Sequence, residues 1–347
     1  MSQNIIAAID AGHGHTKWIL QIGNRITSEG AFPSLTPQAG NSGIVGSGLS
    51  KLRVIAVPVK DRTFHVGQDS YVLSDGRHEE RQRTPDYCTT DAYHALNIAA
   101  LASMGQPVID ILVIGLPLSN ILHFRTFLES RYTGRHEVPM LTGMRGELTT
   151  VDVRRVLVMP QPGGALVATA SENPELTTSK NLVVDMGFHT LDFLFTHGKR
   201  PYPERSGAVE GGMSEFIDAL HAAVAKEYAK AFPEVRLPLS MPHHCYEEAL
   251  LAGRTLRTGA GDIDLTTSLQ IAARKLDQYL DVVATRVRNT GDIQNVVISG
   301  GGAGLLAPRF KLLFPQLHNV FMPRRPQFSI VEGFLAAGAS YASRSAA

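Results

Sequence analysis

Residues 5–20 read IIAAIDAGHGHTKWIL, and residues 182–195 read LVVDMGFHTLDFLF. Each is an apolar, β-type run that ends in Asp, then one residue, then Gly. Each continues through a Thr into a second apolar run. A lone D-x-G is an ordinary turn, because Asp bonds its own backbone there and Gly accepts the dihedrals. Two of them, with Asp10 and Asp185 about half a chain apart, predict more. They imply two similar α/β halves, each opened by a strand–turn–strand unit, not a solenoid of short repeats.

Composition agrees. The chain has 347 residues, enough for two domains and for a core unaided by disulfides. It is 44% hydrophobic and 19% charged, which excludes a disordered chain or a coiled coil. With 33 basic and 32 acidic side chains the net charge is +1, so no strong global field for nucleic acid or anionic membrane is expected. Cys88 and Cys245 form no CxxC pair, which suits a reducing compartment and argues against a cysteine zinc site. No signal peptide or transmembrane helix is expected.

Around the two hairpins the chain alternates between strand and helix signals. Residues 30–83 read as irregular, with short β-type segments in RVIAVPVK and RTFHVG. TTDAYHALNIAALASMG reads as a helix, with Thr89, Thr90 and Asp91 as caps and Gly105 as its stop. VIDILVIGLPLS reads as one buried strand of parallel-sheet type. Leu118–Tyr132 reads as a helix, followed by a strand over Arg154–Met159, a turn over Pro160–Gly164 and a small-residue helix over Ala165–Ser171. In the second half, helices are expected in SEFIDALHAAVAKEYAKAF, capped by Ser214, at Cys245–Ala252 and from about Thr267 to Arg288. NVVISGGGAGLL reads as strand, glycine turn and helix start, and FSIVEGFLAAGASYA as a last helix.

A cleft between two such halves suits a triphosphate. Gly lets backbone N–H groups approach an anion closely, and an Asp at each strand end supplies hard oxygens that Mg²⁺ contacts through its waters. SGGGAGLL (residues 299–306) adds a flat glycine surface for a purine and its ribose. It lacks G-x-x-x-x-G-K-[ST], and no GxGxxG follows the first strand, so neither a P-loop nor a dinucleotide fold fits.

In this light the chain resembles the actin/Hsp70/sugar-kinase ATPase superfamily, with a ribonuclease H-like, actin-like fold of two similar α/β domains flanking a nucleotide cleft. DAGHGHTK (Asp10–Lys17) resembles the first phosphate loop, DMGFHTLD (Asp185–Asp192) the second, and SGGGAGLL the adenosine motif. RVLVMPQPGGALVA (Arg155–Ala168) and VEGFLAAG (Val331–Gly338) resemble the two connecting segments. All five occur in family order. TTDAYHALNIAAL and VMPQPGGALVA are most similar to plasmid-segregation actins of the ParM/StbA type. The resemblance implies actin-like domain I over 1–164, completed by 323–347, and domain II over 165–322.

What the resemblance implies for the site follows residue by residue. Asp10 faces Mg²⁺ and its waters, and Asp185 binds a metal-linked water or orients the attacking one. Gly12, His13 and Gly14 meet the β- and γ-phosphates, and Lys17 neutralises phosphate charge. Gly187 and Thr190 lie against the γ-phosphate from the other side. Gln161 positions the hydrolytic water; relatives carry Glu there, and an uncharged amide is a weak base, so hydrolysis is expected to be slow. Gly300, Gly301 and Gly302 line the adenosine, Glu210 and Gly211 the ribose end. Thr16, Phe188 and His189 complete the nucleotide-binding set.

The function so implied is an ATPase, with GTP as the alternative nucleotide, that polymerises with ATP and Mg²⁺. It would move plasmid DNA in the cytoplasm through a partition adaptor bound to centromere-like DNA, without touching DNA or membrane itself. A small-molecule kinase of the superfamily and a nucleotide-binding scaffold with little hydrolysis are the competing readings. His13 and His15 read as turn residues, not metal ligands. His243, His244 and Cys245 read as a loop leading into a helix, and Trp18 as core. The helix Ser214–Phe232 reads as a solvated face or a lateral contact between subunits.

Overall fold

The computed structural model describes residues 3–38, 52–74, 84, 86–141, 146–236, 238–288 and 290–345. Part of the irregular stretch expected over residues 30–83 lies outside them. Strand β1 (Ile5–Ala11) turns back into β2 (His15–Ile22), and β3 (Arg25–Pro33) continues the antiparallel run. A separate hairpin follows, β4 (Val54–Val59) with β5 (Arg62–Gly67), then helix α1 (Asp91–Met104). Next come β6 (Val108–Ile109), β7 (Ile111–Leu116), α2 (Ile121–Tyr132), β8 (Gly134–Pro139), β9 (Leu148–Val153), β10 (Val156–Pro160) and α3 (Gln161–Glu172).

The second half repeats the opening. Strand β11 (Lys180–Met186) pairs antiparallel with β12 (Thr190–His197), followed by β13 (Arg200–Pro201), β14 (Gly207–Glu210) and α4 (Gly212–Ala231). Helix α5 (His243–Leu251), a small hairpin of β15 (Thr255–Arg257) and β16 (Asp262–Asp264), and α6 (Thr266–Val287) come next. Strand β17 (Asn295–Ser299), α7 (Ala303–Leu313), β18 (Val320–Phe321) and α8 (Ser329–Ser345) complete it.

The first sheet runs β10-β7-β1-β2-β3 and the second β18-β17-β11-β12, with β13 and β14 both on β12. In each, parallel strands join one side of an antiparallel hairpin. The internal echo is thus a repeat of topology. Strands β7 and β17 are buried along their whole length, as apolar strands covered on both faces must be. This is the actin-like α/β architecture that the motif order implies.

Helices α3 and α8 are interposed between the two sheets. One core joins Ile6, Ala8 and Val113 of the first sheet to Val183, Leu194 and Val297 of the second, through Leu166 of α3 and Phe334 of α8. The helices approach so closely that a Cβ on Gly333 would lie 1.8 Å from the Gly164 carbonyl oxygen. Other helices cover the outer faces, α1 on the first sheet and α4, α6 and α7 on the second. None of the described helices is long and apolar enough to cross a membrane.

Most local readings hold. Helix α1 begins after Thr90, whose hydroxyl accepts from the Tyr93 N–H at 3.2 Å, and stops at Gly105 with φ 63°. The single strand expected in VIDILVIGLPLS is two strands in different sheets, because Asp110 leaves the ladder and accepts from the Ile5 N–H at 2.8 Å. Pro160–Gly164 is not a turn: α3 starts at Gln161, with Pro162 in the first turn, where a missing N–H costs nothing. Ser214 is not the cap of α4. Gly211 holds that position at φ 116°, and Ser214 Oγ instead donates to the Gly211 carbonyl at 2.7 Å. Trp18 is core, 8% exposed, packed on Gly30 and Phe32.

Candidate functional site

The ladder of the first hairpin sets Asp10 directly opposite Lys17. Lys17 Nζ lies 3.0 Å from Asp10 Oδ2, and Gln161 Nε2, at the start of α3, donates to Oδ1 at 2.7 Å. Asp10 is only 1% exposed, and these two donors take the place of water around its carboxylate. The amide must turn its NH₂ to the carboxylate, which leaves Gln161 Oε1 as an acceptor with no partner among the described residues. The turn between the strands is held from outside: Ser34 Oγ donates to the Gly12 carbonyl at 2.5 Å, and the Ser34 N–H to that of Gly14 at 2.9 Å.

In the second hairpin Asp185 stands opposite Asp192. Ser299 Oγ, at the end of β17, donates to Asp185 Oδ1 at 2.9 Å, and Thr190 Oγ1 donates to Asp192 Oδ2 at 2.7 Å. Burial pushes the Asp185 carboxyl up to about 7, with the Asp192 and Asp10 charges adding to it, while the Ser299 hydrogen bond and Lys17 oppose the rise. Burial likewise raises Asp192 to about 6 against the Thr190 hydroxyl and the Leu118 N–H. The N-terminus of α4 braces this turn: the Met213 and Ser214 N–H groups donate to the Gly187 and Phe188 carbonyls at 3.0 and 2.8 Å.

The two turns touch. A Cβ on Gly14 would lie 2.9 Å from Phe188 Cβ, so a glycine there lets the loops meet. His13 stacks on Tyr87 at 4.4 Å and faces His189 at 5.0 Å, and farther out Tyr71 meets His244 at 4.7 Å. Between these contacts lies a cleft of about 710 Å³, within the range of small-molecule sites.

Thirteen of the residues expected at the site line this cleft: Asp10, Gly12, His13, Gly14 and Lys17 from the first hairpin, Gln161, then Asp185, Gly187, Phe188, His189 and Thr190 from the second, and Gly300 and Gly301. Four do not line it. Thr16 is fully buried, its hydroxyl 2.9 Å from Ser34 Oγ. Gly302 sits under Met186 and Met213 as the cap of α7. Glu210 pairs with Thr190 across the ladder and is exposed, and the Gly211 N–H donates to the His189 carbonyl at 2.7 Å. Their part is to shape the loops. Gly300 lines the cleft, yet its N–H is spent on the Pro326 carbonyl at 3.0 Å. Its φ of 91° demands glycine, and so does its crowding, since any Cβ there would lie 2.4 Å from Met186 O. Gly301 has nothing within 4 Å of such a Cβ and opens onto the space.

The cleft also contains residues outside the expected set. Asp192 lines it, and a sequence comparison of the two hairpins could have found it at the position that Lys17 holds in the first. Tyr87, and Glu247, Glu248 and Arg254 from the α5 region, form its other walls and carry no local motif, while Tyr93 enters from the TTDAYHALNIAAL helix. His243 and His244 belong to the first turn of α5, not to a loop. Among the described residues no group of three or more His, Cys, Asp or Glu side chains is placed to grip a metal directly. Asp185, with Asp192 across its ladder and the Asp10–Lys17 pair close enough to act on it, gives the cleft an acidic end suited to a cation held through its own waters.

Comparison with known proteins gives a consistent result. The family model of the actin-like protein N-terminal domain matches residues 8–164, and that of the C-terminal domain of the archaeal actin homologue MreB-like family matches residues 183–312. No curated protein sequence matches. Among solved structures, apo psk41 ParM is 18% identical over 98% of each chain, with a TM-score of 0.68. The archaeal actin homologue Ta0583 in complex with ADP is 19% identical over 97% of this chain and 99% of that one, with a TM-score of 0.71. A subunit of a 15-stranded ParM filament from Clostridium botulinum is 18% identical over 98% and 100%, with a TM-score of 0.72. With family models matching both halves in their proper order, the chain belongs to the actin-like proteins.

Proposed function

We propose that the cleft binds ATP with Mg²⁺ and hydrolyses it slowly, and that the bound nucleotide controls head-to-tail assembly of the chain into filaments. One observation carries this reading: two topologically equivalent hairpins present their buried aspartates and glycine turns to one cleft. In its roles, Lys17 and the backbone of Gly12, His13 and Gly14 receive phosphate from one side, and Gly187 and Thr190 from the other. Mg²⁺, when bound, supplies neutralisation of phosphate charge. Asp10 and Asp185 would hold it through its waters, and the elevated Asp185 carboxyl fits an acid cluster that a cation relieves. Gln161 Oε1 accepts a hydrogen bond from the attacking water and orients it. A neutral amide removes no proton, so turnover is that of a switch. The open face at Gly301 takes the nucleoside.

Assembly rests on likeness to ParM structures, one of them a filament. An interface that repeats without closing yields a filament. Movement of plasmid DNA in the cytoplasm through an adaptor is the corresponding cellular role. Return of 323–347 to the first domain is supported by α8 packing on β1 and β7, whereas a division at 164/165 would fall within α3. The test is light scattering and electron microscopy with ATP and Mg²⁺, beside phosphate release. Nucleotide-dependent polymers are expected. Hydrolysis without polymer at any concentration overturns the filament claim, and absence of nucleotide binding overturns the whole reading.

A further inference from the structure

The capped helix TTDAYHALNIAAL plays no part in the phosphate chemistry above, yet it delivers one side chain to the cleft. Thr90 caps α1 through the Tyr93 N–H and donates its own hydroxyl to the Tyr87 carbonyl at 2.8 Å, which fixes both tyrosines at the start of the helix. Tyr87 stacks on His13, and Tyr93 meets Tyr87 edge-on at 5.3 Å. Tyr93 lines the cleft together with Asp10 and is 2% exposed. Its hydroxyl is buried and has no hydrogen-bond partner among the described residues. Such a group is costly in a folded chain and calls for a reason. Burial above all, with the neighbouring Tyr132, Cys88, Tyr87 and lastly Asp10 adding to it, holds the phenol well above its ordinary value, so the group stays a neutral hydroxyl able to donate and accept. Tyr132 offers the contrast. It too is fully buried, but its hydroxyl lies 3.3 Å from His94 Nδ1 and serves the core under α1.

We propose that Tyr93 is a positioning residue of the cleft, whose hydroxyl hydrogen-bonds a water beside Asp10 when nucleotide is bound. The inference rests on the nucleotide reading of the site. It assigns the tyrosine of the capped helix to the loaded state, where the hydroxyl gains the partner that the protein side does not supply.

The test compares Tyr93→Phe with Tyr132→Phe by thermal unfolding without nucleotide, and by titration with a non-hydrolysable ATP analogue and Mg²⁺. Tyr93→Phe should unfold at or above the wild-type temperature and bind the analogue roughly three- to tenfold more weakly, the loss of one hydrogen bond. Tyr132→Phe should unfold at a lower temperature and bind normally. Unchanged analogue binding by Tyr93→Phe, whatever its stability, overturns the inference while leaving the site reading intact. Failure of the wild type to bind the analogue overturns the site reading and the inference with it.

Discussion

Lys17 and Asp192 occupy equivalent positions in the two hairpins, each directly across the ladder from its hairpin's aspartate. One hairpin therefore carries a neutralised pair, Asp10 with Lys17, and the other two buried acids, Asp185 with Asp192. The cleft is built from a repeat whose halves differ in charge at one position, and that difference makes its acidic end.

The acid pair makes the ligand-free protein sensitive to pH. Asp185 at about 7 and Asp192 at about 6 both lie above the ordinary 3.8. Between about pH 4 and 7 the folded chain thus holds protons that the unfolded chain releases. Stability falls as pH rises through that window, and the full cost is present above it. Asp185→Asn should match the wild type near pH 4 and exceed it at pH 8 by roughly 1–3 kcal/mol in urea unfolding. Equal stability of the two proteins at pH 8 would contradict the buried-acid account.

The glycines divide by reason. Gly300→Ala sets a Cβ 2.4 Å from Met186 O and 2.7 Å from Asp185 Oδ1 at a positive φ, and should cost about 3 kcal/mol or more before any ligand is considered. Gly301→Ala meets nothing within 4 Å, and Gly12→Ala meets only His15 O at 3.4 Å. Both should fold with stability within about 1 kcal/mol of wild type and lose nucleotide affinity. Calorimetric titration beside thermal unfolding separates the two classes.

At Gln161 two substitutions act differently. Gln161→Ala removes both the donor to Asp10 and the acceptor for water, and phosphate release should fall about 10- to 100-fold while analogue affinity changes little. Gln161→Glu sets a second carboxylate where the amide now lies 2.7 Å from Asp10. It should lower the unfolding temperature of the nucleotide-free protein, and Mg²⁺ with nucleotide should recover part of that loss. A variant with wild-type stability in both states would show that the contact is dispensable.

The interlock of α3 with α8 is a stability element. Gly333→Ala drives a Cβ to 1.8 Å from Gly164 O between two packed helices, and should cost at least about 3 kcal/mol or abolish folding. Gly304→Ala, in a helix with nothing within 4 Å, should be neutral or add up to about 1 kcal/mol. Urea midpoints of the two variants check the pair.

The hairpins, the order of the elements and most helix ends are legible in the amino acids because they are local. Apolar runs, a D-x-G turn, a Thr cap before α1 and a Gly after it act over a few residues. The same locality explains the misreadings. Pro160–Gly164 has the composition of a turn, and only the seat of Gly164 against Phe334 and the Ile330 carbonyl makes it the start of a helix. Thr16, Glu210, Gly211 and Gly302 sit beside cleft residues in sequence, yet pairing and capping turn them away from it. Asp192 stood in plain view in DMGFHTLD, but its burial beside Asp185 follows from strand register, and the reach of the Asp10 charge to Asp185 follows from how the halves meet. Tyr93, Glu247 and Arg254 come from elements remote in sequence and reach the cleft only because α3 and α8 lock two sheets into one core. Backbone propensity and side-chain spacing act along the chain, whereas burial, charge coupling and the shape of a cleft arise from contacts across it.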